Sequence, residues 1–233
     1  VKNQEVRAAL DGNQRLLDHR QLRLARLDAD EIWPTRPEQA VELQHWLDAN
    51  HRLVDRAGKH RAALQQLRDS AGTEVAAAWT FADPALQLEH DELEQLVQGI
   101  EALALETSRF DGVQARLDLA LSIAGKTIDD HRADWDAAIA RIRIHPQYGG
   151  LVLEPQIGLV PLGQDPDSQL EEFLHFETHE GPIPPAGNGA RSTLGFDGNT
   201  LGVDTGIVFV LIPGGAYWMG AQKQDANERN YDP

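Results

Sequence analysis

A change of period near residue 146 constrains this chain more than any other feature. Up to that point Ala, Leu, Glu, Gln and Arg dominate, glycine and proline are scarce, and apolar residues recur every three or four positions. Beyond it, proline and glycine return every few residues, and short apolar runs replace the stripes. The first pattern is that of amphipathic helices, each of which must bury one face. The second is that of short strands joined by turns. A chain that switches between them predicts an α+β protein with a helical part at 1–145 and a β-rich part at 146–233. The boundary falls at the sequence HPQYGG, residues 145–150.

In the helical part, Val6, Leu10, Leu17, Leu24 and Leu27 predict one long helix over about 4–32, stopped by Trp33-Pro34. Thr35 and Glu38 have capping-box spacing, in which the hydroxyl accepts from amides at the helix start and the glutamate reaches back to the cap amide. The helix that follows, about 36–70, carries a seven-residue repeat. Leu43, Asn50, Ala57 and Leu64 form one column, and Trp46, Leu53, His60 and Leu67 form the other. Asn50 is either a register-setting polar residue inside the seam or a solvated edge position. Asp83-Pro84 predicts the cap and first turn of a third helix with Leu86, Leu93, Leu96, Val97, Ile100, Leu103 and Ala104 on its apolar face. A fourth, from about Asp111 to His131, shows Val113, Leu117, Ala120, Leu121, Ala124 and Ile128. A shorter one from Asp134 to Ile144 carries Trp135, Ala138, Ile139 and Ile142. Residues 71–82, with Trp79 and Phe81, read as loop or helix. Long paired helices with a wide stripe predict an antiparallel coiled coil or elongated bundle, serving as a spacer, a self-association rod or a docking surface.

In the second part, the run GIVFVLIPGGAYWMG at 206–220 holds six consecutive apolar residues, Ile207 to Ile212, and then Pro213-Gly214-Gly215. It predicts a strand buried on both faces, a tight turn and the start of another strand. Such a strand needs cover on both sides, so the run is expected to open a larger β-rich domain and to be covered by material beyond this chain. The Gly/Pro-rich stretch at about 181–205 reads as exposed hairpin tips.

Thirty-seven acidic against twenty-one basic residues give a formal charge of −16, which repels phosphate backbones and anionic membrane faces and disfavours nucleic-acid binding. With no cysteine, the chain has no disulfide, thiolate metal site or cysteine nucleophile. The lack of cysteine fits a reducing, cytoplasmic setting, and fits a cysteine-poor secreted protein nearly as well. No stretch approaches the roughly 18 apolar residues of a membrane span.

Candidate chemistry is sparse. In the segment FLHFETH, a two-residue strand period places His175, Glu177 and His179 on one face, a donor set suited to zinc or ferrous iron. A lone strand gives such imidazoles no supporting hydrogen bonds, so no bound metal is expected. Glu171 and Glu172 point to opposite strand faces and cannot share one substrate bond. Asp91, Glu92 and Glu94 are explained by a helix N-terminus, and Asp129-Asp130-His131 by a solvated helix end. Phosphate-loop, dinucleotide and nucleophile-elbow motifs are all absent from the sequence. The reading therefore assigns no catalytic, cofactor-binding or metal-binding residue, and no cofactor.

The run at 206–220 resembles the opening of formylglycine-generating enzyme (sulfatase-modifying factor) domains, in which a hydrophobic strand precedes a Pro-Gly-Gly-x-aromatic-x-Met-Gly turn. Asn230-Tyr231-Asp232-Pro233 is similar to the continuation in that family. The string GLVPLGQDPDS at 158–168, with Glu172, Phe173 and His175, resembles the region preceding this domain in a bacterial subgroup, where it is fused behind a serine/threonine protein kinase and a helical connector. The resemblance implies a C-type-lectin-related fold for the continuation, with residues 146–233 as its N-terminal portion and residues 1–145 as the connector. It implies no activity for this chain, because the family's oxidase chemistry depends on a cysteine pair that is not present. The expected role is a non-catalytic connector, regulatory and interaction segment. A protein partner, or the remainder of the same domain, would cover residues 207–220. The alternative is the N-terminal part of an active oxidase, or of a related iron-dependent enzyme, whose catalytic residues lie downstream.

Overall fold

The computed structural model of the chain describes residues 2–32, 35–76, 78–183, 186–187, 206–215 and 226–227. The fold is α+β, and the chain divides into two compact units at Ser122/Ile123. That division precedes the compositional break at 145/146, because the last helix packs with the sheet.

The first unit begins with α1 (Lys2–Glu31), which stops just ahead of Trp33-Pro34, a pair outside the described residues. Among its described side chains the buried ones are Asp18, Ala25 and Ala29, a face offset from the one the leucines predict. Val6, Leu10 and Leu17 are exposed, Leu24 is half-buried, and the side chain of Leu27 lies outside the description. The stripe marks a helix correctly but misidentifies its buried side: two alanines let the backbone approach its neighbours more closely than the leucines would.

The expected long second helix is two, α2 (Ala40–Asp55) and α3 (Ala57–Ala71), interrupted at Arg56. Its start also differs from the capping-box reading. A 3₁₀ turn at Pro37–Gln39 opens it, Arg36 occupies the cap position, and no side chain caps it. Both heptad columns are largely buried, including Leu43, Asn50, Leu53, His60 and Leu64. Their partners are not all on α1. Leu43 packs with Ala29, Val113 and Leu117. Leu53 packs with Ala25, Leu96 and Ile100. Leu64 packs with Leu93 and Val97.

The stretch 71–82, expected as loop or helix, holds two short strands instead. They make a two-stranded antiparallel hairpin, β1 (Gly72–Val75) and β2 (Ala78–Phe81), that leads into α4 (Pro84–Leu105). Gly72 is needed here, since a Cβ would lie 2.7 Å from the Trp79 ring. Asp83 caps α4 as predicted, its Oδ1 accepting from the Ala85 amide at 2.8 Å. Next comes α5 (Thr107–Ala124), and Arg116 donates to the carbonyls of Ala29 (2.6 Å) and Ile32 (3.1 Å), placing a cation at the C-terminal end of α1.

The second unit opens with a π turn at Gly125–Asp129, followed by α6 (Arg132–Ile144). Thr127 is fully buried; its hydroxyl donates to the Ile123 carbonyl (2.6 Å) and accepts from the Gly158 amide (3.1 Å). Three antiparallel strands follow, β3 (Leu159–Gln164), β4 (Glu171–His175) and β5 (Val208–Val210), in the spatial order β3-β4-β5. On one sheet face Phe173 packs with Trp135, Ile142 and Tyr148, and on the other Leu174 packs with Val160 and Leu162. The ladder is irregular between Pro161 and Gly163. There the backbone of Gly187 comes so close that a Cβ on Gly163 (φ +100°) would sit 2.0 Å from its carbonyl oxygen.

Candidate functional site

In the helical unit, the side chains closest to an acid–base arrangement surround Asp18. Its carboxylate is 1% exposed and accepts four hydrogen bonds. Oδ1 takes Gln14 Nε2 (2.9 Å) and an Arg56 terminal nitrogen (2.6 Å). Oδ2 takes Arg56 Nε (3.0 Å) and His60 Nε2 (2.7 Å). Burial pushes the Asp18 carboxyl up, but the bonds from His60, Arg56 and Gln14 outweigh it and hold it at about 2. An ionised carboxylate only accepts, so His60 carries its proton on Nε2. A histidine–carboxylate pair is a familiar catalytic element, yet here both acidic oxygens are committed to neighbours and His60 is itself buried. The cluster joins α1 to the α2–α3 junction. Six residues before Arg56, Asn50 adds a second tie: it accepts from Gln21 on α1 (3.0 Å) and donates to the Trp46 carbonyl (2.9 Å). The reading of Asn50 as a polar residue within the seam is the one the structure adopts.

A second buried imidazole belongs to His90. Its Nε2 accepts from Arg68 Nε (3.1 Å), so the proton sits on Nδ1 and is donated to Asp91 (3.0 Å). Bonds from His90 and Gln87 lower the Asp91 carboxyl. Asp91, Glu92 and Glu94 are thus not explained by a helix N-terminus. They lie two or more turns into α4, and Glu94 pairs with Arg68 (2.5 Å).

In the sheet unit, the expected His175, Glu177 and His179 face does not form. The strand ends at His175, and a 3₁₀ turn at Phe176–Thr178 follows, which destroys the two-residue alternation. His175 Nδ1 meets Thr178 Oγ1 (3.2 Å), and His179 Nε2 meets the Pro182 carbonyl (3.3 Å). No metal-ligand cluster occurs among the described residues. Glu171 and Glu172 diverge as alternation predicts; Glu171 is fully buried and takes a fork from Arg141, at 2.6 and 3.1 Å. Asp129 pairs with Arg132 (2.7 Å) and His131 with Asp134 (3.0 Å), as at a solvated helix end.

Among the described residues of this unit, a group of exposed apolar side chains surrounds β5. It is not the strand buried on both faces that its composition predicts. It runs three residues at the sheet edge, Phe209 is 48% exposed, and Ile207, Val210 and Ile212 are also exposed. Among the described residues it pairs only with β4. Tyr148 fastens its far end: the hydroxyl accepts from the Glu171 amide (3.1 Å) and donates to the Leu211 carbonyl (2.9 Å), while the Leu211 amide donates to the Glu171 carbonyl (2.9 Å). By antiparallel alternation, the backbone groups of Val208 and Val210 point away from β4. This edge has a fixed register and an apolar face, which suits it to receive another strand. Pro213-Gly214-Gly215 lies within the description, whereas residues 216–220 and most of 181–205 lie outside it.

No family model matches the chain, and no curated protein or solved structure matches it either. Among the described residues, no helix is long and apolar enough to cross a membrane.

Proposed function

We propose that this chain is a non-catalytic connector and interaction segment of a larger bacterial, kinase-linked protein of the formylglycine-generating-enzyme type. The helical unit acts as the connector. The β5 region forms the rim onto which the remainder of a lectin-related domain, or a protein partner, adds strands. One observation carries the reading: an apolar edge strand held in register by Tyr148, its second edge open among the described residues, leads directly into the Pro-Gly-Gly turn of the resembling motif. The self-contained bonding of Asp18, His60 and Arg56 supports a structural role for the helices. Hydrogen exchange tests the proposal. In the isolated 233-residue chain the Val208 and Val210 amides exchange rapidly, and in the product of the full reading frame they are protected. Equal exchange in both removes the docking role. A cysteine pair encoded downstream, with oxidase activity in that product, would replace the scaffold reading by the enzyme one.

A further inference from the structure

A second surface, in the helical unit, goes beyond that reading and stands whether or not β5 takes a partner. A groove of about 360 Å³ runs along α1 and α2. Leu17, Leu24 and Ala49 supply its apolar lining, and Arg20, Arg52 and His45 its basic one. Leu17 is 58% exposed, and Leu10 and Val6 continue the apolar ridge along α1. Neither Arg20 nor Arg52 forms an ion pair or hydrogen bond among the described residues. The lining carboxylate, Asp18, is already matched by Arg56 and His60. Asp48, on the same helix as Arg52, receives a bond from Gln44 (2.9 Å). Within a chain of formal charge −16, two guanidinium groups thus stand beside an apolar floor with no ion-pair partner among the described residues.

We propose that this groove is a docking site for an acidic amphipathic helix of another protein. Leu17 and Leu24 are seven residues apart, so a helix laid along the groove meets them at its own heptad spacing, and carboxylates flanking its apolar stripe meet Arg20 and Arg52. A polyphosphate backbone is a poor occupant, because the net charge repels it and the leucine floor offers it nothing. A second copy of α1 is also a poor fit. Asn13 and Arg20 stand where a continuous apolar seam through Leu10, Leu17 and Leu24 would need apolar residues.

The test uses the full 233-residue chain and two synthetic helical peptides of about three heptads, with leucine at the apolar positions and either glutamate or lysine at the flanks. Fluorescence anisotropy is expected to show that the glutamate peptide binds and the lysine peptide does not, with affinity falling as salt is raised. The double variant Arg20→Glu/Arg52→Glu should weaken binding by at least about tenfold. Leu17→Gln/Leu24→Gln should weaken it too, without the change in salt dependence, and all variants should retain the parent's thermal melt. Equal binding of the two peptides, no binding of the glutamate peptide, or indifference to the arginine changes overturns the proposal. So does a concentration-dependent dimer of the chain, seen by light scattering and dissolved by Leu17→Gln, since the groove would then be filled by a second copy.

Discussion

Asp18 and Glu171 are both buried carboxylates gripped by an arginine fork, one in each unit, and they do different work. Asp18 draws donors from α1, from the α2–α3 junction and from α3 into one knot at the centre of the helical unit. Glu171 takes a single arginine from α6, and its backbone, through Tyr148, holds the strand end that borders the open edge. The helical unit thus closes its polar groups inward and leaves leucines of α1 outside. The sheet unit spends its buried acid on presenting an apolar rim. Polar burial fixes the register of helices in the first case and the position of a surface in the second.

The largest expected effect separates these roles. Asp18→Ala leaves Arg56 and His60 without their carboxylate and should cost about 3–5 kcal/mol in urea unfolding followed by circular dichroism. A loss under about 1 kcal/mol would show that the knot contributes little to the bundle. Leu53→Ala should cost about 2–5 kcal/mol, because Leu53 is fully buried among Ala25, Leu96 and Ile100. Leu17→Ala should change stability by no more than about 0.5 kcal/mol. Equal costs would mean that the Leu17 face of α1 is packed in solution too.

Acid should act on the helical unit through Asp18. Its carboxyl is held at about 2, below the ordinary 3.8 of a free aspartate, so the stabilisation is complete above about pH 5. It is lost as pH falls through 4 towards 2, by about 2 kcal/mol in all. Asp18→Asn should flatten that part of the stability–pH curve. Tyr148→Phe should cost about 1 kcal/mol globally. It should appear mainly as faster exchange of the Leu211 amide, and an unchanged rate there would remove Tyr148 from the rim.

Much of the fold was legible in sequence, for reasons that also explain the misses. Heptad columns in α2 and α3 and the Asp83-Pro84 cap are local signals; they locate the helical stretches and their buried face but not the interruption at Arg56. The face of α1 was misread because Ala25 and Ala29 carry little hydrophobic signal, although small residues are what close helix approach requires. His60 in an apolar column was the available clue to Asp18, since a histidine there needs a polar partner; the partner lies 42 positions away, beyond any periodicity. The hairpin at 72–81 was hidden by its shortness, with four residues per strand. Six apolar residues at 207–212 suggested a central strand because composition registers hydrophobicity, whereas edge position depends on which strands pair, and that is set by contacts distant in sequence.

The Tyr148 hydroxyl also has a mechanical consequence. A load transmitted through Pro213-Gly214-Gly215, from whatever follows, reaches the unit at Leu211. It meets the Tyr148 and Glu171 bonds before those of β5. Pulled from that end, an edge strand peels and its bonds fail one after another rather than together. A neighbouring domain that tugs on this point could therefore release β5 while α6, β3 and β4 stay folded, which would couple tension in the chain to exposure of the edge.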